Sequence, residues 1–246
     1  MKFIYKGNSN NKVAILIHLM FIHERCFDKL IKYLEDDYYL ILPRLDGHYK
    51  NSNFISIDNE VSHLEDELRK NNIKEIDFIF GLSLGGIIAL DFFQKNSTMI
   101  NNLYIDGVPI IRLGPIMRNI FKNKFYGITC KIKNNPQEAK EKFKNPFPGM
   151  EQIVIDVCKN ITKESCKNLS DACYRYKLKE IDIDEQKKIK IIFGTKEFAR
   201  LCEKKLKRKY KYAQFIDNEG YAHCEYFISN IKGYAAMFNE WCNNHK

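Results

Sequence analysis

The chain has 246 residues, 45% of them hydrophobic, and carries 40 Lys and Arg against 31 Asp and Glu, a formal net charge of +9. That length suits one large domain, or a core with an insertion, and can bury a sizeable apolar core. The positive excess is spread along the chain and not gathered beside aromatic or polar readers, which argues against a nucleic-acid partner, and no apolar stretch approaches the roughly 20 residues that span a bilayer.

Lys2 to Lys6 alternates apolar and polar residues, Gly7 to Asn11 is a turn cluster, and Val13 to Ile17 is a continuous apolar run suited to a central parallel strand. The wider run Val13 to Ile22 is interrupted by His18 and followed by Glu24 and Arg25 with no small-residue cleavage site, so it reads as a buried strand and not a signal peptide. Cys26 to Leu34 has helical spacing, Tyr38 to Leu42 reads as a strand ended by Pro43, Glu60 to Lys70 as a helix, and Ile76 to Phe80 as a buried strand. A helix from Ser83 to Gln94 and a strand from Leu103 to Asp106 follow.

Between Pro109 and about Glu185 the apolar residues fall at helical spacing, as in Ile116 and Ile120 or Ile153, Val157 and Ile161, with Pro136, Pro146 and Pro148 as breaks. Strand and helix alternate again with Ile189 to Phe193, a helix near Phe198 to Leu206, a strand Ala213 to Ile216 and a terminal helix from Glu225 to Trp241. The basic run Lys204, Lys205, Lys207, Arg208, Lys209 and Lys211 reads as a solvated helix face. This grammar predicts an α/β chain with a doubly wound, mostly parallel sheet built from 1–109 and 186–246. The segment 110–185 is then a helical insertion over the carboxyl ends of the strands, where ligands bind in such sheets, and its expected role is a lid.

Eight cysteines (Cys26, Cys130, Cys158, Cys166, Cys173, Cys202, Cys224 and Cys242) show no C-x-x-C pair and no paired Cys/His spacing, so neither a metal nor another cofactor is expected. Free thiols and the lack of a leader pattern point to a cytoplasmic protein without stable membrane insertion.

The chemistry centres on Gly81-Leu82-Ser83-Leu84-Gly85, a serine on a tight turn between a buried strand and a helix. The glycines remove Cβ atoms from a turn that forces main chain together, and the helix start directs free NH groups at charge developing beside Ser83. A serine is a weak nucleophile unless a histidine takes its proton and a carboxylate orients that histidine. His223, in the loop after the last strand, is the preferred base. Glu197, just past Ile189 to Phe193, is the preferred acid, with Asp106 at the preceding strand end as rival and Asp217 and Glu219 as loop residues. Of the oxyanion donors, one is expected from Leu84 and the other from Met20, with Leu19 second. His18 is expected to bond the loop backbone and His23 to line the pocket, while Asp46-Gly47-His48 reads as turn chemistry, with His48 and His63 outside catalysis.

These segments resemble the α/β-hydrolase superfamily in its small esterase and lipase-like branch. The likeness rests on Val13 to His18, Asp46-Gly47-His48, Gly81 to Gly86, Gly194-Thr195-Lys196-Glu197 and Gly220-Tyr221-Ala222-His223, and covers roughly 12–109 and 186–245. It implies a Ser83, Glu197, His223 triad. The family's usual His-Gly is here His18-Leu19, and its more common Asp is here Glu197.

The expected activity is hydrolysis of a carboxylic ester or thioester with an apolar acyl or aryl group, in a pocket formed by Phe21, Leu82 and Met117 with Met20, Leu84, Ile116 and Phe121. The partner is a small apolar ester. The same triad could instead serve an acyltransferase or a carbon–carbon hydrolase, and the same pocket a non-catalytic binding protein.

Overall fold

In the computed structural model, which describes residues 1–144 and 148–243, the apolar runs become the strands of one seven-stranded sheet. The strands are β1 (Lys2–Lys6), β2 (Lys12–Ile17), β3 (Tyr38–Arg44), β4 (Ile76–Leu82), β5 (Ile100–Asp106), β6 (Ile189–Gly194) and β7 (Gln214–Asn218). Their order is β1-β3-β2-β4-β5-β6-β7; β1 pairs with β3 antiparallel and every other pair is parallel. The sequence passes from β2 outward to β3 and then back to β4 on the other side of β2. That reversal opens a crevice at the carboxyl ends of β2 and β4, where open α/β sheets bind ligands.

Alternation along the strands sends side chains to two apolar layers. Ile15, Ile17, Ile79, Ile105 and Ile191 face α2 (Ile57–Lys70) and α3 (Leu84–Asn96). Ala14, Leu16, Phe78, Phe80 and Tyr104 share the other layer with a 3₁₀ turn (Glu24–Phe27), α1 (Asp28–Ile31) and the C-terminal helices. Phe78 sits at the centre of that second layer, fully buried and stacked on Phe238 at 4.6 Å between ring centroids.

Several boundaries differ from the sequence reading. β3 continues through Pro43, which pairs with Phe3 of β1; the pairing with β2 has already ended at Ile41, so the missing N–H interrupts no bond to that strand. The helix expected over Cys26 to Leu34 is only the 3₁₀ turn and the single turn of α1. Between β5 and β6 lie α4 (Pro115–Asn134), α5 (Pro136–Phe143), α6 (Glu151–Asn160), α7 (Lys163–Arg175) and the short α8 (Ile183–Lys187). Pro136 opens α5 at a position that needs no N–H donor, while Pro146 lies outside the described residues. After β6 come a 3₁₀ turn (Phe198–Cys202) and α9 (Glu203–Lys209). The terminal helix is split into α10 (Glu225–Ser229) and α11 (Ile231–Asn243), because Asn230 leaves helical geometry and its Oδ1 accepts the Gly233 N–H at 3.3 Å.

α7 fastens the helical segment to the sheet. Its Cys166, Leu169 and Cys173 join the first apolar layer, Ser165 Oγ accepts the Phe54 N–H at 3.1 Å, and just past the helix the Tyr176 hydroxyl donates to Asp91 Oδ1 at 3.1 Å. α4 packs against α6 and α7, and α5 against α6.

β5 ends on Asp106, a buried carboxyl whose Oδ2 accepts the Tyr234 hydroxyl from α11 at 2.7 Å. Burial pushes Asp106 up to about 7, against the opposing pull of the Tyr234 bond. Its folded value is thus above its unfolded value, so its contribution to stability is complete below about pH 4 and is lost as pH rises through about 7. Urea unfolding across that window should show the loss, and Asp106→Asn should reduce it, the remainder coming from Glu60, which burial pushes up to about 8. Phe78→Ala should cost about 3–5 kcal/mol in the same assay, from lost burial and the cavity left between two aromatic rings.

Candidate functional site

Ser83 joins β4 to α3 with φ 52° and ψ −110°, a conformation disfavoured for a residue with a Cβ. The turn holds it there. The Ser83 N–H donates to Asp106 O at 2.7 Å, and its own carbonyl accepts from Gly86 N–H and Ile87 N–H. Gly85 makes the geometry possible, because a Cβ there would lie 2.2 Å from Ile17 O and 2.6 Å from His18 O. The start of α3 is therefore pressed against the end of β2. As the first helical residue, Leu84 has no acceptor for its N–H within the helix.

Three strand ends converge on the serine. The His223 ring lies 2.9 Å from Ser83 Oγ through Nε2 and 2.6 Å from Glu197 Oε2 through Nδ1. The carboxylate oxygen facing Nδ1 places the ring proton there and leaves Nε2 to accept from the Ser83 hydroxyl. Glu197 is held in turn: Oε1 accepts the Gly194 N–H at 2.7 Å, and its side chain is fully buried. The loops carrying acid and histidine are tied by Lys196 N–H to Tyr221 O at 3.0 Å and Thr195 N–H to Asn218 O at 3.0 Å. Asp106, the rival acid, instead accepts from Tyr234.

Gly107, which sequence reasoning did not single out, packs directly on this pair. It has φ 64°, and a Cβ on it would lie 2.9 Å from His223 Nδ1 and 3.0 Å from Glu197 Oε2. Its only sequence signal was a glycine following a strand end.

The loop after β2 is fixed by two buried histidines. His18 donates from Nδ1 to Leu19 O at 2.8 Å and accepts the Leu45 N–H on Nε2 at 3.0 Å. His48 donates from Nδ1 to Asp46 O at 3.1 Å and accepts the Phe21 N–H on Nε2 at 3.3 Å. Burial pushes His18 well below the usual histidine range and His48 down to about 4, so both stay neutral and keep one acceptor nitrogen each. The left-handed turn of this loop falls at Phe21, with φ 65°.

A cavity of about 420 Å³ begins at Ser83 and His223. Leu19, Met20, Phe21 and Ile22 wall it from the β2 loop, and Phe125, Ile128 and Ile132 from α4. Phe143, Val154, Cys173 and Tyr174 close it from α5 to α7, and Phe198 and Ala199 from beyond β6. No Asp, Glu, Lys or Arg is among its described lining residues.

Of the expected pocket residues, Phe21 and Met20 are there. Leu82 is not: it is buried beside Cys26, Cys224 and Phe227 in the second apolar layer, since the residue before the serine points to the other sheet face. Met117 lies on the outside of α4, 45% exposed, and Ile116 beside it is 80% exposed; the cavity-facing stripe of that helix is instead Phe125, Ile128 and Ile132, legible as apolar residues spaced three and four apart. Leu84 is buried in the first layer with no side chain in the cavity. His23 caps the 3₁₀ turn, accepting the Arg25 N–H on Nδ1 at 3.4 Å, and lies away from the cavity lining. Elsewhere, Asp46, Glu60 and His63 each place one potential metal-ligand atom within 4.8 Å of the others, and the Met1 ammonium lies 2.5 Å from Asp46 Oδ1. Among the described residues no helix is long and apolar enough to cross a membrane.

No protein-family profile matches this sequence, and no curated protein matches it in sequence. Solved structures do match. An α/β-hydrolase family protein from Desulfitobacterium hafniense is 18% identical with a TM-score of 0.74, covering 97% of this chain and 99% of its own. A thermophilic esterase from Thermogutta terrifontis is 14% identical with a TM-score of 0.73, covering 99% and 93%. The thioesterase domain from the curacin biosynthetic pathway is 12% identical with a TM-score of 0.66, covering 96% and 94%. With its mostly parallel sheet, strained serine turn and converging strand-end loops, the chain has the α/β-hydrolase fold.

Proposed function

We propose that this protein is a serine hydrolase that cleaves carboxylic esters or thioesters bearing an apolar acyl or aryl group. The observation that carries this reading is the hydrogen-bonded series Ser83, His223, Glu197 at the wall of an apolar cavity. Ser83 Oγ attacks the carbonyl carbon while His223 Nε2 takes its proton, and Glu197 stabilises the resulting imidazolium at Nδ1. The tetrahedral oxyanion is received by the N–H groups of Leu84 and Met20, from the start of α3 and the β2 loop. His223 then protonates the leaving alcohol or thiol. Water, deprotonated by the same nitrogen, releases the acid from the acyl-enzyme.

The cavity supports the substrate class. Its volume is in the range of small-ligand sites, and a charged acyl group would be desolvated there with no counter-charge beside it. The esterase and thioesterase domain that share the fold work on the corresponding bonds. In this reading 110–185 acts as a lid, with α7 as its fixed side and α4 and α5 covering the acyl group.

Ser83→Ala should abolish labelling by a fluorophosphonate probe and lower turnover of p-nitrophenyl esters by at least about 10⁴-fold, and His223→Ala should do likewise. Full turnover in Ser83→Ala would overturn the reading. Gly107→Ala should leave the protein folded by circular dichroism yet lower kcat at least about 100-fold, because the new Cβ displaces the His223–Glu197 pair.

A further inference from the structure

Beside the cavity the surface gathers five of the chain's described exposed large apolar side chains. Ile116 is 80% exposed and Leu201 69%, and Met117, Ile120 and Phe198 are about half-exposed. They belong to one patch. Ile116 and Ile120 share a face of α4 at i, i+4, and Phe198 and Leu201 share a face of the 3₁₀ turn at i, i+3. The two elements meet where Phe121 stacks on Phe198, with ring centroids 6.2 Å apart. Since Phe198 also lines the cavity, the patch starts at the cavity rim. Large apolar side chains massed in this way mark an interaction site.

Charge indicates what covers it. From Gly107 to Gln137 the sequence holds no Asp or Glu but six Lys and Arg. Arg112 leads into α4, Lys205 and Arg208 follow the 3₁₀ turn on α9, and the fold gathers them with Lys177 around one groove. Among the described residues none of these four forms an ion pair, whereas nearby Arg200 and Lys207 are held by Glu203 and Asp217. A second copy would bring two faces of like charge together, each on a chain of net charge +9. Nucleic acid would gain little from Ile116, Ile120 and Leu201, which offer no ring for base stacking. An apolar centre edged by unpaired cations fits a bilayer surface, with side chains entering the boundary of headgroups and acyl chains and cations meeting phosphates.

We propose that this face adsorbs to an anionic phospholipid bilayer and sets the cavity mouth against the lipid. Adsorption is independent of the hydrolase reading; entry of a lipid-borne acyl ester into the cavity rests on it. The test is co-sedimentation of the full chain with phosphatidylcholine vesicles and with equal mixtures of phosphatidylcholine and phosphatidylglycerol. The wild type and Ser83→Ala should pellet alike with the anionic vesicles, weakly with the neutral ones, and should be released by high salt. The pairs Ile116→Ser with Leu201→Ser, and Lys205→Glu with Arg208→Glu, should each lower the partition coefficient at least about tenfold. Unchanged thermal unfolding of both pairs would show that the surface, and not the fold, was altered. Equal pelleting with both vesicle types, or none, would overturn the proposal. So would a dimer on size-exclusion chromatography that the Ile116→Ser, Leu201→Ser pair dissolves. Loss of ester turnover in the wild type would sink the hydrolase reading while leaving adsorption standing.

Discussion

The close approach of α3 to the end of β2 is the constraint on which the rest of the site depends. Gly85 brings the start of the helix to van der Waals distance of the Ile17 and His18 carbonyls, and this fixes three things together. Ser83 is held at positive φ at the carboxyl end of β4, Leu84 begins the helix beside it, and the β2 loop is brought next to both. A methyl group at position 85 would have to displace backbone, which a sheet centre cannot yield cheaply. The strain at Ser83 is small beside the apolar burial around it, because α3 from Leu84 to Phe93 is buried throughout. The conformation is therefore over-determined by packing and not maintained by its own hydrogen bonds alone.

The same economy governs the β2 loop. A loop that leaves a strand end has no ladder to hold its backbone groups, so side chains have to hold it in place. His18 and His48 do this as neutral rings, each donating on one side and accepting on the other, with their centroids 4.9 Å apart. Protonation of either would replace an acceptor with a donor facing a backbone N–H. Burial, which pushes both below the usual histidine range, thus secures the loop's geometry over ordinary pH. Phe21 supplies the loop's left-handed turn.

Much of this was legible in the sequence because local signals and long-range packing agree there. The strand runs are apolar enough to be buried on both sheet faces, and the serine turn combines two glycines with a strand before and a helix after. The helical segment was less legible. Ile116 and Ile120 have the spacing of a buried stripe, yet they lie outside, and the inner stripe belongs to Phe125, Ile128 and Ile132. Two interleaved stripes on one helix cannot be ranked without knowing which side meets the sheet. Leu82 was assigned to the pocket by adjacency to Ser83, although a strand residue before the turn points to the opposite layer.

The choice between Glu197 and Asp106 shows where sequence reasoning stops for a physical reason. Asp106 is the last residue of β5 and Glu197 lies just past β6, at the same carboxyl end of the sheet, so position alone gives each a path to His223. Two distant contacts separate them. Tyr234, 128 residues further along the chain, donates a hydrogen bond from its hydroxyl to Asp106 Oδ2, and the Gly194 N–H donates to one oxygen of Glu197 while the other faces His223. Glutamate suits the second role because its carboxylate must reach back to its own strand end while extending forward to the ring. Burial of Asp106 favours its neutral form and raises its proton affinity, and the nearby charge of Glu197 acts in the same direction. The helix that supplies Tyr234 also packs Phe238 onto Phe78, so the placing of the Asp106 carboxyl is tied to the core of the second layer. A substitution that loosens α11 would therefore reach the site through Asp106, without any contact with Ser83 or its histidine.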